Sequence, residues 1–229
     1  MNRIGILCAS DTELAPFLEC MHAPKATEKA MLKFYEGTIR QAQTAAVFSG
    51  VCKVNAAIAA QLLIEEFHAG LVVNAGTAGA IHESVRPFDT VIAERSAYHD
   101  VADDILTEFH PRMQSVYFQS DQKLLAIAKD YAPTAKYPIL FGTIVTGEQF
   151  IAGNERDRIS KRFAPLAVDM ETASVAHVCY VHKLPFIAVR TITDTASHNG
   201  MESFEKNCEA ASRISAEIVA DLLQRYALL

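Results

Sequence analysis

The 229 residues are informative first for what they lack. No apolar run approaches the length of a membrane span, which argues against a membrane protein. Lysine and arginine form no run and the net charge is −6. Nucleic acid and acidic membrane surfaces are therefore disfavoured as partners. No small-residue cleavage site follows an apolar leader, and the first residues enter a strand directly, so a cytoplasmic location is expected. No C-x-x-C pair occurs among Cys8, Cys20, Cys52, Cys179 and Cys208. An odd, scattered set reads as free, mostly buried thiols in a reducing compartment. Cys52, in the loop-like Ser49-Gly-Val-Cys-Lys53, is the one candidate for thiol chemistry, and no sequence evidence places a histidine beside it.

Several motifs are absent as well. Without G-x-G-x-x-G or G-x-x-x-x-G-K-[ST], NAD and nucleoside triphosphates are disfavoured. There is no H-E-x-x-H and no zinc-type His/Cys spacing, so no metal or other cofactor is expected. The eight histidines read as surface or satisfied core residues. No G-x-S-x-G elbow supports a Ser-His-Asp triad. No linker, repeat or low-complexity tract interrupts the chain, so residues 1–229 are expected to form one domain.

What is present is half hydrophobic and one-fifth charged, a soluble globular composition. Strands are expected at residues 3–9, 44–49, 70–74, 89–96, 139–145 and 185–192. Helices are expected at 53–67, 121–131, 172–182 and 203–226. In the first of these Val54, Ile58 and Leu62 recur on one face; in the last Ala211, Ile214, Ile218 and Leu222 do. Ser10-Asp-Thr-Glu13 offers N-cap chemistry before a further helix. Residues 100–119 have no period and read as a long loop. Alternating strands and helices, several strands apolar on both faces, give an α/β class with a sheet covered on both sides.

Candidate functional groups gather at strand ends. Val168-Asp-Met-Glu171 and Ile192-Thr-Asp194 place acids at two of them, and Glu13 follows the first strand. Each has an ordinary alternative: a solvated acid at a strand tip, a turn residue, a first-turn helix acid. Gly76-Thr-Ala-Gly79 reads as a glycine loop whose backbone approaches a ligand, or as a tight turn. In Thr146-Gly-Glu-Gln-Phe-Ile-Ala-Gly153, Phe150 could stack on a flat ring while the Ile151 backbone pairs with a purine edge; alternatively Phe150 anchors the loop to the core.

In this order these segments resemble one family, the 5′-methylthioadenosine/S-adenosylhomocysteine nucleosidases of the nucleoside phosphorylase fold. The resemblance is carried by Ile4-Gly-Ile-Leu…Glu13, Ser49-Gly-Val-Cys-Lys-Val54, Asn74-Ala-Gly-Thr-Ala-Gly79, Tyr98-His-Asp100, Thr146-Gly…Phe150-Ile151, Val168-Asp-Met-Glu171 and Arg190-Thr-Ile-Thr-Asp194, and it spans nearly the whole chain. It implies a central mixed, twisted sheet flanked by helices on both sides, a homodimer and a small-molecule adenine nucleoside as ligand. It implies hydrolysis of the N-glycosidic bond, with Asp194 as acid at the base and Glu13 as base for water. Glu171 would hold the ribose hydroxyls and Met170 would lie against the sugar. Phe150 and Ile151 would hold adenine, Ala78 and Gly79 would line base and sugar, and Thr193 and Phe204 would lie nearby. The alternatives are a purine nucleoside phosphorylase and an inactive nucleoside-binding module. The first loop carries two acids and no arginine, which favours water over phosphate. Two departures stand out. Residues 101–110 replace a Phe-Gly-Tyr, Gly-Gln-rich segment near the 5′ group, leaving that group open, and Cys52 stands where glycine is usual.

Overall fold

The computed structural model describes residues 3–151, 154–195 and 200–228. Among the described residues ten strands form one mixed sheet. They are β1 (Arg3–Cys8), β2 (His22–Lys29), β3 (Leu32–Ile39), β4 (Ala42–Phe48), β5 (Ala69–Ala80), β6 (Thr90–Tyr98), β7 (Phe118–Gln119), β8 (Ile139–Thr146), β9 (Ala167–Asp169) and β10 (Phe186–Asp194). The helices are α1 (Asp11–Cys20), α2 (Lys53–Glu65), α3 (Asp103–Glu108), α4 (Gln122–Tyr131), α5 (Asn154–Phe163), α6 (Thr172–His182) and α7 (Gly200–Ala227).

Strand β5 pairs with β1, β10 and β9 along different parts of its twelve residues. Because β10 also pairs with β6, β6 with β8 and β8 with β9, these strands close a ring. Strands β4, β3 and β2 extend the sheet outward from β1. Helices α2 and α6 cover one side, burying Ala56, Ala59, Ala60, Leu63, Ala173 and Ala176. Helices α1, α4 and α7 cover the other, burying Leu14, Phe17, Leu124, Ile214, Ile218 and Leu222. Since β1, β5 and β10 run parallel, their C-terminal ends open together at one edge of the ring. Ligands of α/β sheets bind at such edges.

Four expectations are corrected. Residues 76–79 are not a loop but the last third of β5, held between neighbouring strands. Residues 100–119 contain α3 and β7. In α2 the face carrying Val54 and Ile58 is exposed, and the alanines beside Leu63 are buried instead. Close approach of a helix to α6 and the sheet favours the smaller side chains. Finally, β2, β3 and α5 occupy stretches with no expected element.

Candidate active site

Glu13 is placed by the start of α1. Ser10 is the N-cap; its hydroxyl accepts from the Glu13 amide at 3.2 Å, and the Glu13 carboxylate accepts from the Ser10 amide at 3.3 Å. This reciprocal pair satisfies two amides the helix leaves open. The carboxylate also accepts from the Ala9 amide at 2.7 Å, and from the Thr77 amide and hydroxyl at 2.7 and 2.8 Å. Glu13 is thus buried and fixed from β5, from the residue after β1 and from the cap of its own helix. Gly76, at φ +143°, gives it room: a side chain there would collide with the carboxylate.

Asp169 and Glu171, two residues apart, diverge. Asp169 turns into the fold, accepting from Thr146 Oγ1 at 2.6 Å, from the Thr172 amide at 3.2 Å and from the Thr172 hydroxyl. It ties β9 to the start of α6. Glu171 faces the cavity and accepts the Cys52 amide at 2.9 Å, at the N-terminus of α2, where a negative charge is favoured. Arg190, fully buried in β10, unites the acids: Nε lies 2.9 Å from Asp169, Nη2 3.2 Å from Glu171 and Nη1 4.0 Å from Glu13. Burial raises the Glu171 pKa, and Arg190 pulls it back towards the ionised form. The signal for Arg190 was present in the sequence: a lone arginine inside an apolar strand requires buried anions.

Asp194 ends β10 beside Gly79 of β5. Its carboxylate accepts from Thr193 Oγ1 at 2.9 Å and from Arg156 Nη2 at 3.2 Å. Burial raises its pKa; the Thr193 hydrogen bond and the Arg156 charge oppose that. Arg156 lies in α5, so sequence reasoning missed it; a helix so polar gives no sign that one of its arginines turns inward.

One cavity of about 330 Å³ joins these groups. Glu13, Ala78, Gly79, Phe150, Ile151, Met170, Glu171, Thr193, Asp194 and Phe204 all line it, together with Arg156, Thr77, Asp169 and others. The anchor of the 147–151 segment is the buried Ile151, packed with Val145, Ile159, Phe163 and Val168. Phe150 stays 40% exposed at the cavity wall. Ala152 and Gly153, part of the same sequence motif, lie outside the described residues. His99 departs from the expectation of a satisfied core histidine. It is buried against Gly147, neither ring nitrogen is hydrogen-bonded, and burial lowers its pKa. Among the described residues no group of three His, Cys, Asp or Glu side chains is arranged to hold a metal ion.

The family model of the phosphorylase superfamily matches residues 3–224. The 5′-methylthioadenosine/S-adenosylhomocysteine nucleosidase of Aeromonas salmonicida is 34% identical over 231 residues, covering 96% of this chain and 98% of its own. This chain belongs to that nucleosidase family within the phosphorylase superfamily. Solved structures of similar proteins share the fold. The S-adenosylhomocysteine nucleosidase of Streptococcus pyogenes, in complex with 5-methylthiotubericidin, matches this nucleosidase-family chain with a TM-score of 0.90 at 30% identity, covering 98% of this chain and 97% of that one. The futalosine hydrolase of Helicobacter pylori matches with a TM-score of 0.90 at 26% identity, covering 98% of both chains. The mixed sheet with helices on both sides is therefore the nucleoside phosphorylase fold.

Proposed function

We propose that this protein hydrolyses the N-glycosidic bond of 5′-substituted adenosines, of the 5′-methylthioadenosine, S-adenosylhomocysteine or 5′-deoxyadenosine type, releasing adenine and the free sugar. The observation that carries the reading is the meeting of Glu13, Glu171 and Asp194 in one cavity, in a chain of this family. Asp194, protonated, gives its proton to N7 of adenine as the bond from N9 to the anomeric carbon breaks, so the base leaves neutral. Glu171 accepts the ribose hydroxyls, and its charge favours the cation-like sugar. Met170 lies against the ribose. Glu13 takes a proton from the water that attacks the anomeric carbon. At the end Asp194 is ionised and Glu13 protonated, and a proton returning between them through solvent restores the site. Phe150 and the Ile151 backbone hold the base, with Ala78, Gly79, Thr193 and Phe204 around it.

Water is favoured over phosphate by charge. Among the described residues lining the cavity the cation is Arg156, already paired with Asp194, and Arg190 behind it is paired with Asp169 and Glu171. A free phosphate would meet carboxylates at the sugar end.

The chain works as a single domain and as a homodimer. Support for the homodimer comes from apolar side chains left exposed on the packed pair α2 and α6, Val54, Ile58, Tyr180 and Val181 among them. Lys53 of α2 pairs with Asp100 at 3.0 Å, so the segment leading to the exposed Ile105 and Phe109 starts beside the same face. Among the described residues no helix is long and apolar enough to cross a membrane. Five free cysteines suit the cytoplasm, where thioether nucleosides would enter methionine salvage.

The test is incubation with methylthioadenosine in phosphate-free buffer, where adenine should be released. Strict dependence on phosphate, with a sugar 1-phosphate as product, would make the protein a phosphorylase. Tight binding without turnover would make it a binding module.

A further inference from the structure

Arg156 reaches the cavity from the first turn of α5 with its side chain only 11% exposed. Its guanidinium is a planar fork of donors with no acceptor. Nη2 donates to Asp194 Oδ2 at 3.2 Å, Nε to the Ile151 carbonyl at 3.4 Å, and Nη1 to the Ala80 carbonyl. The first two acceptors are the ones the proposed function assigns to the base. The 6-amino group of adenine, in nucleoside and free base alike, carries two N–H donors, one for an Asp194 oxygen beside N7 and one for the Ile151 carbonyl. The guanidinium therefore offers, from within the chain, the same pair of donors at the same two acceptors.

We propose that Arg156 is an internal plug: in the empty enzyme it occupies the adenine-recognition edge, and the incoming base must displace it. The proposal rests on the reading given above, in which Asp194 and Ile151 receive adenine. The physical reason for a plug is the cost of an empty site. Asp194 is buried, and a buried carboxylate held by the Thr193 hydroxyl but with no cationic partner is unfavourable. Arg156 supplies that partner until a ligand with equivalent donors replaces it. The third contact, to Ala80 at the end of β5, does not compete with the base and holds the guanidinium near the pocket. Since α5 closely follows the segment carrying Phe150 and Ile151, exchange of guanidinium for adenine also alters what holds that wall of the cavity. Arg156 is on this account a positioning residue that weakens base binding.

The experiment is calorimetric titration of the whole chain with adenine, in wild type, Arg156→Ala and Arg156→Lys. Loss of a competing hydrogen-bonded donor should tighten adenine by about threefold to tenfold in Arg156→Ala. The KM for methylthioadenosine should fall in parallel while kcat does not. Arg156→Lys keeps the charge and loses the fork, so its Kd should lie between the other two. A residue serving only to hold α5 in place would give weaker adenine binding when removed, never tighter. Adenine binding unchanged or weakened in Arg156→Ala, or weaker in Arg156→Lys than in wild type, would overturn the plug. Failure of the underlying reading is separable: neither wild type nor variants would then release adenine from methylthioadenosine, whatever the order of the binding constants.

Discussion

A β-carbon placed on Gly76 would stand 2.4 Å from the carboxyl carbon of Glu13. The carboxylate cannot simply step aside, because amides of Ala9 and Thr77 hold its two oxygens at 2.7 Å. Gly76 also sits at φ +143°, which side-chain-bearing residues rarely adopt. Gly76→Ala should therefore lower kcat by about 10²-fold through a displaced base and cost about 1–3 kcal/mol of stability through strain. Turnover and thermal melting check the two effects separately. Normal turnover in a correctly folded Gly76→Ala protein would detach the fixed position of Glu13 from catalysis.

Cys52 is strained where a glycine would not be. Its φ of +79° and ψ of 165° fall in a region that belongs almost wholly to glycine, and its amide is the one that Glu171 accepts. Strain of this kind costs about 1–3 kcal/mol, and glycine returns about 0.5–1 kcal/mol of it through the freedom of the unfolded chain. Cys52→Gly should stabilise the fold by about 1 kcal/mol on balance and keep the amide on Glu171, leaving turnover near normal. Cys52→Ala retains the β-carbon and should show no such gain. Denaturant midpoints of the two variants, measured side by side, decide the matter.

The same position shows what a sequence can reveal. Cys52 in place of a customary glycine was visible without coordinates; its consequence, a strained amide aimed at Glu171, was not. The acids were legible because an α/β fold collects strand ends at one edge, and motifs at several such ends point to one place. The Gly76-Thr-Ala-Gly79 stretch was misread because glycines in isolation suggest a turn. Here two of them clear space inside a strand, Gly76 for Glu13 and Gly79 beside Asp194. Strand β2 was invisible because all eight of its residues are exposed, so it shows no alternation of buried and solvated positions. Arg156 was hidden in a helix whose polarity is otherwise that of a solvated surface. The α2 face was misassigned because large apolar residues were counted, whereas packing against α6 selects alanine.

Asp194 is expected to set the alkaline limit of activity. In the proposed mechanism it works in its protonated form, and burial raises its pKa above the usual aspartate value despite Thr193 and Arg156. The protonated fraction is full below that raised value and declines as pH climbs through it. The rate of base release should follow, level on the acid side of that limb and falling above it. Asp194→Asn cannot transfer a proton and should lose about 10²–10⁴-fold in kcat, while binding of methylthioadenosine persists. Turnover within a few-fold of wild type, with the alkaline limb in its original place, would assign the acid role elsewhere.

The exposed face of α2 gives the last prediction. Val54 is 69% exposed, and Val51, Ile58, Tyr180 and Val181 are also well exposed on or beside the α2–α6 pair. Apolar residues grouped in this way on a folded surface mark a contact with another protein, because leaving them in water forfeits the gain from burying them. A second copy of the chain is the partner proposed here. Wild type should then sediment at twice its 25.1 kDa mass, and Val54→Lys should sediment as a monomer, since an unpaired ammonium buried at a symmetric contact would face its own copy or nearby apolar groups. Val54 does not line the cavity, so a loss of activity in the monomer points to the lost contact. Lys53 and Asp100 link this face to the segment at 101–110, and the 5′ group of the substrate is where such a loss should appear first. The ratio of methylthioadenosine to plain adenosine turnover, compared between dimer and monomer, measures it; an unchanged ratio would mean that the chain completes its own 5′ site.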